Sequence, residues 1–70
     1  MGDLILRNTI KVERAKKDLT QEGLAQLVGV TRKTINSIER GHYVPSTLLS
    51  LKIARVFGAR FEDVFSLGEE

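Results

Sequence analysis

The chain of 70 residues has no cysteine and no tryptophan, one proline and one histidine. Without cysteine there is neither a disulfide nor a thiolate metal site. The lone His42 has no second histidine and no carboxylate cluster nearby in sequence, so no metal and no cofactor is expected. Aromatic residues make up only 6% of the chain, and three of the four are core-like phenylalanines. That leaves no exposed platform on which single-stranded RNA would stack. Apolar runs are a few residues long, too short for a membrane span. The N-terminus lacks the apolar stretch of a signal peptide, so a cytoplasmic protein is expected. No paired carboxylates in a plausible cleft and no nucleophile beside a base can be found, which makes an enzyme the poorest reading.

What is present must fold by helix packing. The length allows a single domain, residues 1–70, near the size at which one hydrophobic core becomes marginal. Dimerisation is the most direct reinforcement left. The net charge of +2 hides an uneven distribution: residues 1–60 carry 11 basic against 5 acidic groups, a balance of +6. The last ten residues hold Glu62, Asp63, Glu69 and Glu70 and no cation. A basic body with an acidic tail suits a polyanionic partner, although ordinary surface charge would give the same composition.

Along the chain, Leu4–Arg7 is too short for a helix and reads as a strand. Asn8 or Thr9 caps a first helix to about Lys17, with Ile10, Val12 and Ala15 as its apolar positions. Thr20 caps a second helix, Gln21–Val28, and Thr31 a third, Arg32–Arg40, with Gly41 suited to the left-handed position after it. His42–Pro45 is a loop, and Pro45 disfavours helix at Val44. Ser46 caps a fourth helix, Thr47–Phe57, ended by Gly58. A short fifth helix, Phe61–Val64, leads to Phe65–Leu67. That segment and Leu4–Arg7 are the two candidate strands and each other's obvious partner. Such a ribbon is marginal unless packed on helices.

Residues 20–40 concentrate the constraints of a helix-turn-helix. Ala25 is small where two steeply crossing helices approach. Gly29 falls at the turn, where a side chain on a left-handed residue costs roughly 1–2 kcal/mol. Leu24, Val28, Val30, Ile35 and Ile38 supply the apolar contacts, which puts the polar side chains of the third helix on the opposite face. Its first turn, Thr31-Arg32-Lys33-Thr34, presents cations and hydrogen-bonding groups at the end that meets base edges in this motif.

These residues, with Leu19-Thr20-Gln21-Glu22, Leu24-Ala25, Gly29-Val30-Thr31-Arg32, Thr34-Ile35, Ile38-Glu39, Gly41, Tyr43, Pro45-Ser46, Lys52-Ile53-Ala54 and Phe65, resemble the Xre family of regulators, the Cro and phage-repressor type. The resemblance covers about residues 9–65. It implies an all-α, five-helix Cro/phage-repressor-like domain, with a small two-stranded antiparallel sheet where the ends of short members are apolar. It also implies that the chain binds double-stranded DNA as a homodimer, each third helix in a major groove of a pseudo-palindromic operator.

Roles follow position by position. Thr20 offers a hydroxyl to phosphate if capping leaves it free. Gln21 bonds a phosphate and braces a side chain of the third helix. Arg32 pairs with guanine, a bidentate contact worth about 1–3 kcal/mol of discrimination. Lys33 reaches a base or a phosphate, and Thr31 presents its methyl group to thymine. Thr34 belongs to the same first turn. Asn36 and Ser37 lie further along, with Arg40 at the end of the set. Tyr43 packs the loop or reaches DNA, and His42 contacts phosphate or solvent. Arg14 and Glu39 match a family ion pair that is structural.

Several positions depart from the family pattern. Gly23 stands where a glutamate would complete a capping box with Thr20, and Arg60 where Ser or Thr would cap the fifth helix, which is therefore expected to be short or frayed. Val12 and Glu13 shift the apolar position of the first helix. Leu48 adds an exposed apolar side chain. The expected dimer interface is the fifth helix and tail, using some of Phe57, Phe61, Val64, Phe65 and Leu67. The alternative function is an antitoxin-type module that neutralises a partner protein through Leu48 or the acidic tail and uses DNA binding only for autoregulation.

Overall fold

The computed structural model describes residues 3–69; Glu70, counted above in the acidic tail, lies outside them. Strand β1 (Leu4–Asn8) leads into α1 (Ile10–Lys16), α2 (Gln21–Val28), α3 (Arg32–Glu39), α4 (Thr47–Val56), α5 (Phe61–Val64) and β2 (Phe65–Glu69). Five helices and one two-stranded antiparallel ribbon are the architecture expected from the sequence. The register runs from Leu4 opposite Glu69 to Asn8 opposite Phe65, so both strands are longer than the apolar segments that announced them. Residues alternate across a strand, which puts Leu4, Leu6, Phe65 and Leu67 on one face of the ribbon.

Three caps form as the side chains dictate. Thr20 Oγ1 accepts from Gly23 N at 2.9 Å, Thr31 Oγ1 from Thr34 N at 3.2 Å, and Ser46 Oγ from Leu49 N at 3.1 Å. The first helix is capped from one residue further back: Asn8 Oδ1 accepts from Ile10 N at 3.1 Å, while its Nδ2 donates to the Ile38 carbonyl at 3.0 Å. Asn8 thus ties β1 and α1 to the end of α3. At α5, Asp63 takes over the missing cap and accepts from both the backbone N–H and the guanidinium of Arg60. The hydrogen bonds from Arg60 hold the Asp63 carboxyl below its usual range. Helices α3 and α4 each stop one residue short of expectation, because Arg40 and Phe57 serve as C-caps.

The core joins Ile10, Leu24, Ala25, Val28, Ile35, Ile38, Leu49, Ile53, Ala54, Phe57, Val64 and Phe65. Two expectations are corrected here. Val12 and Ala15 are exposed, so Ile10 alone of α1 is fully buried. The inward position one turn after Ile10 belongs to Arg14, whose charge is neutralised internally. Phe57, Val64 and Phe65 are buried in the monomer's own core, which withdraws them from any interface and leaves Phe61 and Leu67 exposed.

Gly29 sits at φ 79° between α2 and α3 with open space where a Cβ would stand. Gly29→Ala therefore loses stability through the backbone alone, roughly 1–2 kcal/mol. A thermal melt is expected to fall by about 5–15 °C for a domain of this size.

Candidate nucleic-acid interface

Helix α3 presents two unlike faces. Ile35 and Ile38 are 0% and 1% exposed and hold it against the core. At about 100° per residue, Lys33, Asn36, Ser37 and Arg40 fall on the opposite side, with Arg32 at the margin toward α2. Arg32, Lys33 and Arg40 are exposed, and their side chains make no hydrogen bond or ion pair among the described residues. No acidic residue lies in the first turn. The helix's single carboxylate, Glu39, is turned inward, so the outer face is positively charged without compensation.

Behind this face lies a connected polar network. Arg14 Nε donates to Glu39 Oε2 at 2.7 Å and its Nη2 to Oε1 at 3.1 Å, a fork-to-fork ion pair. Arg14 Nη1 donates to the Leu19 carbonyl at 2.9 Å. The side chains are 14% and 7% exposed, and the bond to Glu39 raises the Arg14 guanidinium further above its already high range. Gln21 Nε2 donates to Glu39 Oε1 and to Asn36 Oδ1, both at 3.2 Å. The network locks α1, the start of α2 and the outer row of α3 into one arrangement.

The sequence-derived residues fall into three groups, with Tyr43 apart from them. Lys33, Asn36, Ser37 and Arg40 share the outward side of α3, with Arg32 at its margin. Thr31 and Thr34 rim its N-terminus, with their hydroxyls 3.1 Å apart, and Thr31 also serves as the cap. Thr20 and Gln21 open α2. The Thr20 oxygen is used by Gly23 N, which leaves its hydroxyl hydrogen available. The brace expected of Gln21 is present, but both of its amide hydrogens are engaged, so a phosphate contact by that amide would break one bond. The backbone N–H groups of the first turn of α2 are the alternative donors there. Tyr43, 49% exposed, lines a shallow surface with Lys33, Thr34, Ser37 and His42. Sequence reasoning missed the clamp by Asn8, whose only visible signal was its capping chemistry.

Among the described residues no group of three His, Cys, Asp or Glu can hold a metal, and no helix is long and apolar enough to cross a membrane.

Comparison with known proteins agrees with this geometry. The helix-turn-helix family model matches residues 10–64. The HTH-type transcriptional regulator YgzD of Bacillus subtilis is 51% identical over 93% of this chain and 98% of its own. An HTH-type transcriptional regulator of Archaeoglobus fulgidus is 54% identical over 93% of this chain and 92% of its own. The crystal structure of the restriction-modification controller protein C.AhdI from Aeromonas hydrophila superposes with a TM-score of 0.72 at 31% identity, covering 77% of this chain and 82% of that chain.

Proposed function

The chain belongs to the Xre/Cro-like helix-turn-helix family of DNA-binding transcriptional regulators, a non-enzymatic class, and from that premise we propose that it is a repressor that grips a pseudo-palindromic operator as a homodimer. The observation that carries this reading is the outer side of α3: three cations whose side chains have no partner among the described residues, with Asn36 and Ser37 between them, on a helix fixed by Ile35 and Ile38. One such helix reads only a few base pairs. Two of them, set about 34 Å apart by a two-fold axis, read enough to select a site. Thr20 and Tyr43 beside the helix, with Thr31 and Thr34 at its N-terminus, hold the phosphates, while Gln21 braces Asn36 from behind. A single small domain represses most directly by occupying the promoter.

Homodimerisation is supported by the ribbon face. Leu67 is 70% and Leu4 56% exposed, and both lie on the side that carries Phe65. Phe61, 39% exposed, stacks on Phe65 with ring centroids 5.1 Å apart. Apolar surface thus continues from the ribbon onto α5.

Selection of the purified protein against random duplex DNA, at several salt concentrations, tests the reading. A two-fold symmetric site is expected, with log affinity falling linearly in log salt. Arg32→Ala should flatten the preference at one base position per half-site by about 5- to 150-fold, the equivalent of about 1–3 kcal/mol. Salt-sensitive binding with no enriched sequence would contradict it.

A further inference from the structure

The buried ion pair determines which end of the Asn36 amide faces outward. A carboxylate can only accept hydrogen bonds, whereas an amide side chain has one end that donates and one that accepts. Both Glu39 oxygens accept from Arg14, and Oε1 accepts from Gln21 as well. The Gln21 atom beside Oε1 must therefore be the NH2 group. Its second hydrogen points at Asn36, 3.2 Å away. The Asn36 atom there must in turn be the oxygen, since two NH2 groups would repel.

The remaining end of Asn36, Nδ2, has no partner among the described residues. No buried side-chain nitrogen or oxygen there lacks a partner either, so Nδ2 is open to solvent. It lies on the outward side of α3, one turn from Arg32 and one turn from Arg40. The polarity passes from Arg14 to Glu39, then to Gln21 and Asn36, and each step leaves the next group one orientation.

We infer that Asn36 meets DNA as a hydrogen-bond donor only, and that Gln21 and Glu39 are positioning residues that set its base preference. The inference rests on α3 lying in the major groove. A free asparagine favours adenine, since it accepts from N6 while donating to N7. Here the oxygen is turned inward. The exposed NH2 suits acceptor edges, best the N7 and O6 of guanine, and is repelled by the N4 amino group of cytosine.

The test is base preference from random-duplex selection on the full chain, for the wild type, Asn36→Ala, Asn36→Asp and Gln21→Met. Asn36→Ala identifies the position that Asn36 reads. At that position the wild type should prefer guanine over cytosine by at least about five-fold. Asn36→Asp keeps the inward acceptor but presents an acceptor outward, and should turn the preference toward cytosine. Gln21→Met removes the clamp and one hydrogen bond to Glu39 but leaves both Arg14–Glu39 hydrogen bonds in place, so adenine should gain at that position alone, with the salt dependence unchanged. Glu39→Gln should act in the same direction, but it also disturbs the fold, which is why Gln21→Met is the deciding variant. A wild-type preference for adenine there, an unaltered preference in Gln21→Met, or an Asn36→Ala variant that changes no position would each overturn the inference while leaving a sequence-specific regulator intact. The absence of any enriched site in the wild type would overturn the operator reading along with it.

Discussion

Glu39→Ala lowers the melting temperature by about 10–30 °C and leaves much of the protein unfolded at 25 °C. Breaking one half of a fully buried ion pair costs about 3–5 kcal/mol, because the other charge stays behind without its partner, and this pair, with side chains 14% and 7% exposed, is largely enclosed. At Arg14 the loss removes two of the three hydrogen bonds, leaving only the Leu19 carbonyl. Gln21 loses an acceptor in the same step. A core this small rarely supplies more than about 3–5 kcal/mol in total, so the variant sits near its unfolding midpoint. Thermal and urea melts followed by circular dichroism check this. The pair Arg14→Met with Glu39→Leu should lose less than either single change, since no stranded charge remains. A Glu39→Ala melt within a few degrees of wild type would show that water relieves Arg14 and that the network is not structural.

The second large effect is expected at the ribbon. Leu67→Glu should leave the proposed dimer monomeric in analytical ultracentrifugation and weaken operator binding by about 100-fold or more. Joining two modest contacts in one particle typically contributes a factor of about 10²–10⁴ to overall affinity, and the variant forfeits that factor. The monomer itself should be unharmed. Leu67 is 70% exposed and contributes little to its own core, so the melt should change little once concentration is taken into account. A variant that remains dimeric would move the interface elsewhere, with Leu48 and Leu51, exposed one turn apart on α4, as the next surface to mutate.

The fold was largely legible because its boundaries are written in side chains that act locally. Thr20, Thr31 and Ser46 each close a helix through an oxygen three residues from its donor, and Gly29 marks the turn by its φ. The ribbon was legible for a different reason: two apolar segments at opposite ends of the chain had no other partner of the right length. Burial was harder to read. Val12 and Ala15 looked like the inner stripe of α1, but the inward position went to Arg14, a charged residue matched by a carboxylate 25 positions away. A periodicity count treats arginine as solvent-facing, and only the family resemblance pointed to its pairing with Glu39. For the same reason, the apolar residues near the end of the chain could not be divided between core and surface until β2 was placed. Phe65 and Leu67 share one face of the strand, yet only Phe65 reaches the helices.

For the candidate interface, the residue types of α3 were readable from the sequence, while the direction of the Asn36 amide was not. It depends on contacts among four residues drawn from three helices. Chemistry along the chain named those residues, and only the packing could order their hydrogen bonds.

The pairing of β1 with β2 also bears on the order in which the molecule assembles. Its partners stand at opposite ends of the chain, so the ladder closes a loop containing every helix and must offset the entropy of that closure. Contacts between α2 and α3 are local and face no such delay. The helical cluster is therefore expected to form first and the ribbon to zip last. In the finished protein the same sequence runs backwards: amide exchange in β1 and β2 should proceed through openings that leave α2 to α4 intact. If the ribbon face is the contact between subunits, the part of the monomer that settles last is the part a second copy would hold closed.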